Sequence, residues 1–352
     1  MSIQIFQNKK SILSFLIIFF LFFELSGTAQ NYKVVKAQKG DGVFSLLKRH
    51  GVPASEFRNF VALNKDKLGK NNELIVGRSY KLPVAVEDNV VTEQSTAVQN
   101  NGNNGSGKTV IHKMFGPKYE RVTIVDNKLK GAVYYLQSGH GGPDPGAVGK
   151  LGGHTLCEDE YAYDVTLRLA RNLIEHGATV YMITRDPNDG IRDESYLKPD
   201  KDEVCYPNLR IPAKQISRLH QRKDAVNNLY KKHKGSFQRQ IVIHVDSRSR
   251  GENIDVFFYY DQRSNTGKKL ATNLMETFDS KYRQHQPGRG YHGSVSDRNL
   301  YVIKYSYPPA VFIELGNINH TRDQQRFIKE DNRQAVANWL TEGLIKDFGN
   351  NK

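Results

Sequence analysis

Residues 310–316 read AVFIELG, a short apolar run that carries Glu314 near its carboxyl end. Two other apolar runs lead to a histidine in the same way. AVYYLQ at residues 132–137 precedes the turn that holds His140, and IVI at residues 241–243 is followed by His244. In open α/β sheets, ligands bind in a crevice outside the carboxyl ends of the strands. Two histidines and a carboxylate at that edge predict a zinc hydrolase.

Predicted helices alternate with these strands over residues 119–350. We predict strands at 132–137, 179–184, 241–245, 254–260, 300–303 and 310–314, and helices at 158–176, 215–232, 265–282 and 323–347. This alternation predicts one catalytic domain with an α/β fold, in which helices flank a mostly parallel, mixed sheet. Residues 85–118 predict a flexible linker before this domain, because residues 99–107 read QNNGNNGSG, a polar stretch rich in Asn and Gly.

The first 29 residues have the features of a secretory signal peptide. Lys9 and Lys10 precede an apolar stretch at residues 12–23, and Gly27-Thr28-Ala29 supplies the small residues of a cleavage site. A membrane anchor is the alternative, but the stretch is short for a bilayer span. We therefore expect an exported protein of the periplasm, the cell wall or the extracellular space, with no stable membrane insertion after cleavage.

The composition is strongly basic, because 51 Lys and Arg residues outnumber 37 Asp and Glu residues and give a formal net charge of +14. A basic protein outside the cytoplasm meets anionic cell-wall polymers and lipid head groups. Nucleic acid is the usual partner of a basic chain, but export argues against it. The two cysteines, Cys157 and Cys205, could pair in an oxidising compartment, and the sequence leaves this pairing open.

Residues 32–84 have the pattern of a separate module in the order strand, helix, helix, strand. The module resembles the LysM family, which binds glycans that contain N-acetylglucosamine. The matching positions are Tyr32, Val34, Gly40-Asp41, Leu46-Leu47, Asn64, Val76-Gly77 and Leu82-Pro83. The chain departs from the family at residues 42–44, which read GVF where the family more often has a small hydroxyl residue. The alternative is a small domain that only packs on its neighbour.

His140 and His244 are the two candidate imidazole ligands. The glycines of the turn SGHGGPDPGA, residues 138–147, let the backbone bend tightly and leave the His140 ring in a crevice. His244 ends a β-branched run, so its side chain is expected at the strand tip, where Asp246 could orient it or form a hydrogen bond nearby. An ordinary loop histidine and a buried structural histidine are the alternatives for the two positions.

Glu158 is the candidate carboxylate ligand. It begins a predicted helix and lies on the apolar face of that helix with Ala162, Val165, Leu169 and Leu173. A carboxylate on a core-facing stripe needs a partner, which is a metal, an Arg or a backbone N–H. Asp159 and Glu160 are close competitors, and Glu160 is the second choice. His154 or Cys157 could also be a ligand, but both are expected to line the wall of the site.

Glu314 is the candidate general base. Hydrolysis assisted by a metal needs a group that takes a proton from the attacking water and returns it to the leaving nitrogen. A carboxylate at a strand end in a partly dry crevice has a pKa raised toward the useful range. The alternative is a Glu whose charge is satisfied by a helix N-terminus or by an Arg such as Arg298.

The segment from about 131 to 347 resembles the zinc-dependent N-acetylmuramoyl-L-alanine amidases, which cleave bacterial peptidoglycan. The matching positions, in the order of the family, are Gly139-His140-Gly141-Gly142, Asp144-Pro145-Gly146-Ala147, Glu158, Thr184-Arg185-Asp186, Arg222, Asn227, His244, Pro309-Ala310-Val311, Glu314, Gly316 and Asn319. The chain departs from the family at Ser138, where Asp is usual, and at residues 242–245, which read VIHV where Ser-Ile-His-Ala is common. Neither departure removes a ligand.

The resemblance implies that His140, Glu158 and His244 hold zinc and that Glu314 is the general base and acid. It also implies that the substrate is peptidoglycan and that the bond cleaved joins the lactyl group of N-acetylmuramic acid to L-alanine of the stem peptide. Residues 187–213 form a charged insertion that could cap the crevice or dock a protein regulator, and residues 284–296 could line the substrate groove. A zinc peptidase on a related scaffold and a non-catalytic cell-wall-binding protein are the alternative functions.

Overall fold

The structure of the protein is a computed structural model that describes residues 32–39, 41–50, 52, 56–69, 72–83, 107–248 and 251–351. The predicted signal peptide, residues 1–29, lies outside the described residues, as do residue 84 and residues 85–106 of the predicted linker. The chain divides into two compact units, residues 1–92 and residues 93–352.

The amino-terminal unit has the predicted order of strand, helix, helix, strand. Its elements are β1 (Val34–Lys36), α1 (Val43–Arg49), α2 (Phe57–Leu63) and β2 (Ser79–Lys81). The two strands pair antiparallel, and the helices bury a small apolar core that includes Leu46, Leu47, Phe60 and Tyr80. The apolar residues that recur at helical spacing in the sequence are thus those that fill this core.

Asn64, one of the positions of the LysM resemblance, has a structural role in this unit. Its side-chain amide donates hydrogen bonds to the carbonyl oxygens of Phe60 and Lys81, both at 2.8 Å. Its side-chain oxygen accepts a hydrogen bond from the Lys81 N–H, also at 2.8 Å. Because Asn64 is buried, these bonds satisfy it fully and join the end of α2 to β2.

The second unit is an α/β domain. Its strands are β3 (Thr109–Ile111), β4 (Arg121–Thr123), β5 (Ala132–Ser138), β6 (Val148–Leu151), β7 (His154–Cys157), β8 (Thr179–Met182), β9 (Thr184–Arg185), β10 (Val204–Cys205), β11 (Leu209–Arg210), β12 (Phe237–Asp246), β13 (Phe257–Tyr260), β14 (Ser294–Asp297) and β15 (Ala310–Asn317). Its helices are α3 (Glu158–Glu175), α4 (Gln215–Lys232), α5 (Asn265–His285), α6 (Tyr301–Lys304), α7 (Thr321–Ile328) and α8 (Glu330–Gly349).

Six of these strands form the central sheet, in the order β14-β13-β15-β12-β5-β8. Every neighbouring pair is parallel except β13 with β15, so the sheet is mixed, as predicted. Smaller sheets surround it: β3 pairs with β4, β6 with β7, and β9 with β10 and β11. The order of the central strands brings the carboxyl ends of β5, β12 and β15 side by side.

Both faces of the central sheet are covered by helices. Ile241, Ile243 and Ile313 belong to the main core, which also contains the apolar faces of α3, α5 and α8. Val242 and Phe312 point to the opposite face, where they pack with residues of α6. Side chains alternate along a strand. His244 and Glu314 follow Val242 and Phe312 by two residues, so they lie on this second face.

Three predicted elements differ most from the structure. Residues 300–303 are not a strand, because a helix, α6, begins at Tyr301, and a short apolar run does not distinguish the two structures. The predicted linker, 85–118, is too long at its carboxyl end, because β3 pairs with β4 and Phe115 is fully buried, so the larger unit begins before residue 119. The helix predicted at 323–347 is two helices, α7 and α8, separated at Lys329, whose backbone is extended.

Among the described residues, no helix is both long enough and apolar enough to span a bilayer. The two cysteines, Cys157 and Cys205, are buried free thiols and do not pair with each other.

Candidate metal centre and active site

The turn after β5 carries His140 in a backbone conformation that requires its glycine neighbours. His140 has a φ of 58°, and Gly141 and Gly142 have φ values of 97° and 65°. Only glycine adopts such angles freely, so the run of glycines explains the sharp turn. Gly139 is needed for another reason: a Cβ at this position would lie 2.4 Å from the His244 ring. The absence of side chains here allows the two imidazoles to approach each other.

The structure brings His140, Glu158 and His244 together. One ligand atom from each lies within 4.8 Å of the others. His140 Nε2 is 3.2 Å from Glu158 Oε2, and His244 Nδ1 is 2.7 Å from Glu158 Oε1. The two rings are 5.0 Å apart at 79°. Ligands that share a tetrahedral zinc at about 2.0–2.1 Å lie about 3.4 Å from each other. Two imidazoles and a carboxylate therefore fit zinc in both type and spacing.

Glu158 is held in place by backbone groups on both sides. Its Oε2 accepts a hydrogen bond from the Ala147 N–H at 2.8 Å, and its Oε1 accepts one from the Val245 N–H at 3.0 Å. Burial is the largest single effect and raises the pKa of Glu158, but the hydrogen bonds from His244 and the Ala147 N–H and the nearness of both histidines together outweigh it, and the net pKa is lowered. The ionised carboxylate is the form that a metal needs.

Glu160, the second choice as ligand, belongs to different surroundings. Its Oε2 pairs with Arg192 Nη2 at 2.9 Å, and its Oε1 accepts the Asp200 N–H at 3.0 Å. His154, expected to line the wall, stacks on Tyr196 with ring centroids 3.8 Å apart and is exposed. Glu158 is therefore the first-turn acid of α3 that faces the two histidines.

His244 is fixed by Glu158 and by an aromatic ring rather than by Asp246. Its imidazole stacks on Phe312 at 4.3 Å with an interplanar angle of 19°. The prediction that Asp246 orients His244 is wrong, because Asp246 pairs with Arg248 at 2.7 Å. Burial lowers the pKa of His244. The ring is therefore kept neutral, which is the state in which an imidazole binds a metal.

Glu314 lies beside His244, in register on the neighbouring parallel strand. The residue is only 7 % exposed, and its Oε2 is buried with no hydrogen-bond partner among the described residues. Burial, then the charges of Glu158 and Asp246, raise the pKa of Glu314 well above its ordinary value. Arg298, the alternative partner, lies over the Tyr259 ring at 5.0 Å. A carboxyl with a raised pKa is a stronger base when ionised and still a proton donor when protonated, so Glu314 is suited to accepting and then returning a proton.

A sequence profile described as N-acetylmuramoyl-L-alanine amidase matches residues 135–346. The chain belongs to the N-acetylmuramoyl-L-alanine amidase family. Similar proteins include the germination-specific N-acetylmuramoyl-L-alanine amidase of Bacillus subtilis, 23 % identical over 62 % of this chain and 81 % of that protein. The probable cell wall amidase LytH of Staphylococcus aureus is 26 % identical over 62 % of this chain and 59 % of that protein.

Solved structures of similar fold include amidase AmiC2 of Nostoc punctiforme, with 19 % identity, a TM-score of 0.45, and coverage of 63 % of this chain and 99 % of that chain. The catalytic domain of CwlV from Bacillus (Paenibacillus) polymyxa has 20 % identity, a TM-score of 0.45, and coverage of 62 % of this chain and 98 % of that chain. Family membership confirms the predicted recognition and a peptidoglycan amidase function. The metal, the residue roles and the LysM-like module stay predictions.

Asp144 and Arg218 support His140 in this amidase, a role that was not predicted for either residue from the sequence. Asp144 Oδ2 is 2.9 Å from His140 Nδ1 and 2.6 Å from Arg218 Nη2. The hydrogen bond from His140 is the largest of several effects that hold the pKa of Asp144 far below its usual range. A carboxylate on Nδ1 favours the tautomer that leaves Nε2 free toward Glu158. The sequence offered one signal for the contact between His140 and Asp144, namely that both residues lie in the same short turn, four positions apart.

Arg222 and Asn227, which match the family, lie on α4 and hold two loops near the site. The Arg222 guanidinium is buried and donates to the His140 carbonyl oxygen, and burial lowers the pKa of Arg222 to about 10. The Asn227 side chain donates to the Tyr305 carbonyl at 3.0 Å and accepts from the Tyr307 N–H at 2.8 Å. Arg222 therefore supports the turn that carries His140, and Asn227 fixes the loop that leads into β15.

Proposed function

We propose that this amidase uses zinc, held by His140, Glu158 and His244, to hydrolyse the amide bond between the lactyl group of N-acetylmuramic acid and L-alanine of the stem peptide. The observation that carries the proposal is the convergence of two imidazoles on one buried carboxylate, beside the unpartnered Oε2 of Glu314. Zinc, when bound, would supply a Lewis acid that polarises the amide carbonyl and makes water more acidic.

Glu314 accepts a proton from the attacking water in this proposal. The water oxygen forms a bond to the lactyl carbonyl carbon, and Glu314 then returns the proton to the alanine nitrogen as the carbon–nitrogen bond breaks. Burial is the main cause of the raised pKa of Glu314. The raised pKa supports the return of the proton to the alanine nitrogen, because Glu314 then holds a proton near neutral pH and can donate it. Asp144 and Arg222 act as positioning residues for His140.

We further propose that residues 32–84 bind the glycan strands of the same polymer. The resemblance to LysM and the order of strand, helix, helix, strand support this role. We also propose that the protein is exported to the periplasm or cell wall, because the peptidoglycan substrate lies there. A protein regulator that docks on residues 187–213 is also proposed. The CwlD amidase of Clostridioides difficile has been solved in complex with the GerS lipoprotein.

The test is mass spectrometry of purified peptidoglycan after digestion by the protein, with and without added zinc. The amidase proposal expects free stem peptides that begin with L-alanine and glycan strands with free lactyl carboxyl groups. A zinc peptidase would instead release amines inside the stem peptide, and a non-catalytic binding protein would release nothing. Either result would overturn the proposal.

Variants at Glu314 test the role of the base. Glu314→Gln is expected to lower the rate of release about 10²–10⁴-fold, while zinc content stays at that of the wild type. The matched control is Glu276→Gln, the same chemical change at a side chain that is 51 % exposed. A Glu314→Gln variant as active as the control would exclude Glu314 as the base.

A further inference from the structure

A second group of acidic side chains lies next to the turn that carries His140. Asp159 and Glu160 come from the first turn of α3, and Glu203 comes from the insertion at residues 187–213. One oxygen of each carboxyl group lies within 4.8 Å of the others. All three residues are buried, at 2 %, 2 % and 6 % exposure. Asp186 and Asp200 form a second such group with the same Glu203.

The protein leaves part of this buried charge unpaired. Arg192 pairs with Glu160 at 2.9 Å and shares its guanidinium with Asp189 at 2.5 Å. Glu203 Oε2 accepts the backbone N–H of Gly142 at 2.5 Å, and no cationic side chain forms an ion pair with Glu203 among the described residues. Buried carboxylates without compensating charge are costly, so they are normally paired, protonated or bound to a metal.

Asp159 is the residue whose environment is least complete. Its Oδ1 accepts the Glu160 N–H at 3.0 Å. Its Oδ2 is buried and has no hydrogen-bond partner among the described residues. A carboxylate oxygen with two free lone pairs, enclosed by two further carboxyl groups, needs a cation or a proton.

We propose that Asp159, Glu160 and Glu203 bind a hard divalent cation, Ca²⁺, at a second metal site distinct from the His140, Glu158 and His244 site. All of the donors are oxygens, which favour Ca²⁺ over zinc. Ca²⁺–oxygen distances are about 2.3–2.6 Å, so ligands on opposite sides of the ion lie up to about 5 Å apart. The observed limit of 4.8 Å fits within that span.

The position of this site gives it a structural effect on the active site. Glu203 holds the N–H of Gly142, two residues after His140, and Asp159 directly follows Glu158 in the chain. A cation between Glu203 and Asp159 would therefore join the insertion to the helix that carries Glu158, one of the proposed zinc ligands. Bound Ca²⁺ is expected to stabilise residues 187–213 against proteolysis and hydrogen exchange.

The experiment is a titration of the zinc-loaded, full-length mature protein with CaCl₂, followed by calorimetry and thermal unfolding. We expect one bound Ca²⁺ per chain and, at tenfold excess over Kd, a rise in Tm of about 3–6 °C. Asp159→Asn keeps the shape of the side chain and its Oδ1 acceptor, and we expect at least tenfold weaker Ca²⁺ binding with unchanged zinc content. The matched control, Asp224→Asn, changes an exposed carboxylate and is expected to bind Ca²⁺ like the wild type.

The Tm of Asp159→Asn measured without Ca²⁺ gives a second test. Asp159→Asn removes one of several like charges, so we expect its Tm without Ca²⁺ to equal or exceed that of the wild type. No Ca²⁺ binding by the wild type, or equal binding by Asp159→Asn, would overturn the proposal and would indicate that the carboxyl groups share protons instead. The measurement needs no substrate, so its failure leaves the amidase proposal untouched, and failure of the amidase test leaves this one untouched.

Discussion

Replacing Gly146 by alanine tests the packing of the proposed zinc site more directly than removal of a ligand. Gly146 has a φ of 68°, and a Cβ there would lie 2.6 Å from both Glu158 Oε2 and His140 Cδ2. The contact with carbon is about 1 Å inside ordinary van der Waals distance. Metal–ligand distances tolerate about 0.2 Å. The new methyl group must therefore displace at least one of the two side chains by more than a zinc site accepts.

Gly153→Ala is the matched control, because it separates backbone strain from the clash. Gly153 has a φ of 82°, but a Cβ there would meet no atom within 4 Å. Both variants pay the left-handed backbone cost of about 1–2 kcal/mol, which corresponds to about 2–8 °C in Tm for a domain of this size. Only Gly146→Ala is expected to lose zinc affinity, by about 10–100-fold or more.

The assay is zinc competition with a chelating dye, with Tm measured on the same samples. Equal zinc affinities for Gly146→Ala and Gly153→Ala would refute the reasoning, since the close approach to the ligands would then have no consequence. A Gly146→Ala variant that does not fold would be recognised by circular dichroism. In that case Gly139→Ala, whose Cβ would lie 2.4 Å from the His244 ring, repeats the test at the other imidazole.

Three other predictions concern Glu314, Asp144 and the amino-terminal module. Burial raises the pKa of Glu314, so the metal-free folded protein holds this proton more tightly than the unfolded chain, whose Glu has a pKa of about 4.3. Stability should therefore fall as the pH rises above that value; Glu314→Gln should remove this loss, and a gap in Tm between variant and wild type that does not widen with pH contradicts the assignment. Asp144→Asn should weaken zinc binding about 10–100-fold, measured by competition, because it weakens the orientation of His140; unchanged affinity would show that Arg222 and the turn suffice. Deletion of residues 32–84 should reduce sedimentation with purified sacculi more than cleavage of a soluble muropeptide, and equal losses would argue against a targeting role.

The sequence predicted that His244 and Glu314 lie near the carboxyl ends of two strands, and the structure adds that alternation along each strand places both side chains on one face. Val242 and His244 on β12, and Phe312 and Glu314 on β15, are two residues apart and so project together. The same reasoning fails for Asp246. The pairing register of β12 with β15 shifts between His244 and Asp246. Such a bulge re-aims the following side chain, and no feature of the sequence reveals it.

Sequence patterns could not predict contacts between the site and residues from distant elements of the chain. Arg218 meets Asp144 although 74 positions separate them, and Glu203 meets Gly142 across 61 positions. Local propensity and periodicity describe neighbours within a few residues. The family resemblance supplied Arg222 and Asn227, but it did not cover Arg218 or Glu203.

The start of α3 shows where helical periodicity stops being informative. The apolar stripe predicts that Glu158 faces the core, yet Asp159 and Glu160 are as deeply buried, at 2 % each against 4 % for Glu158. One turn of helix presents side chains about 100° apart, so a first turn covered on several sides buries all three. Glu158 then meets the two histidines, whereas Asp159 and Glu160 meet Glu203 of the insertion. Because adjacent residues of one rigid turn serve both groups, a shift of that turn by either group moves the other.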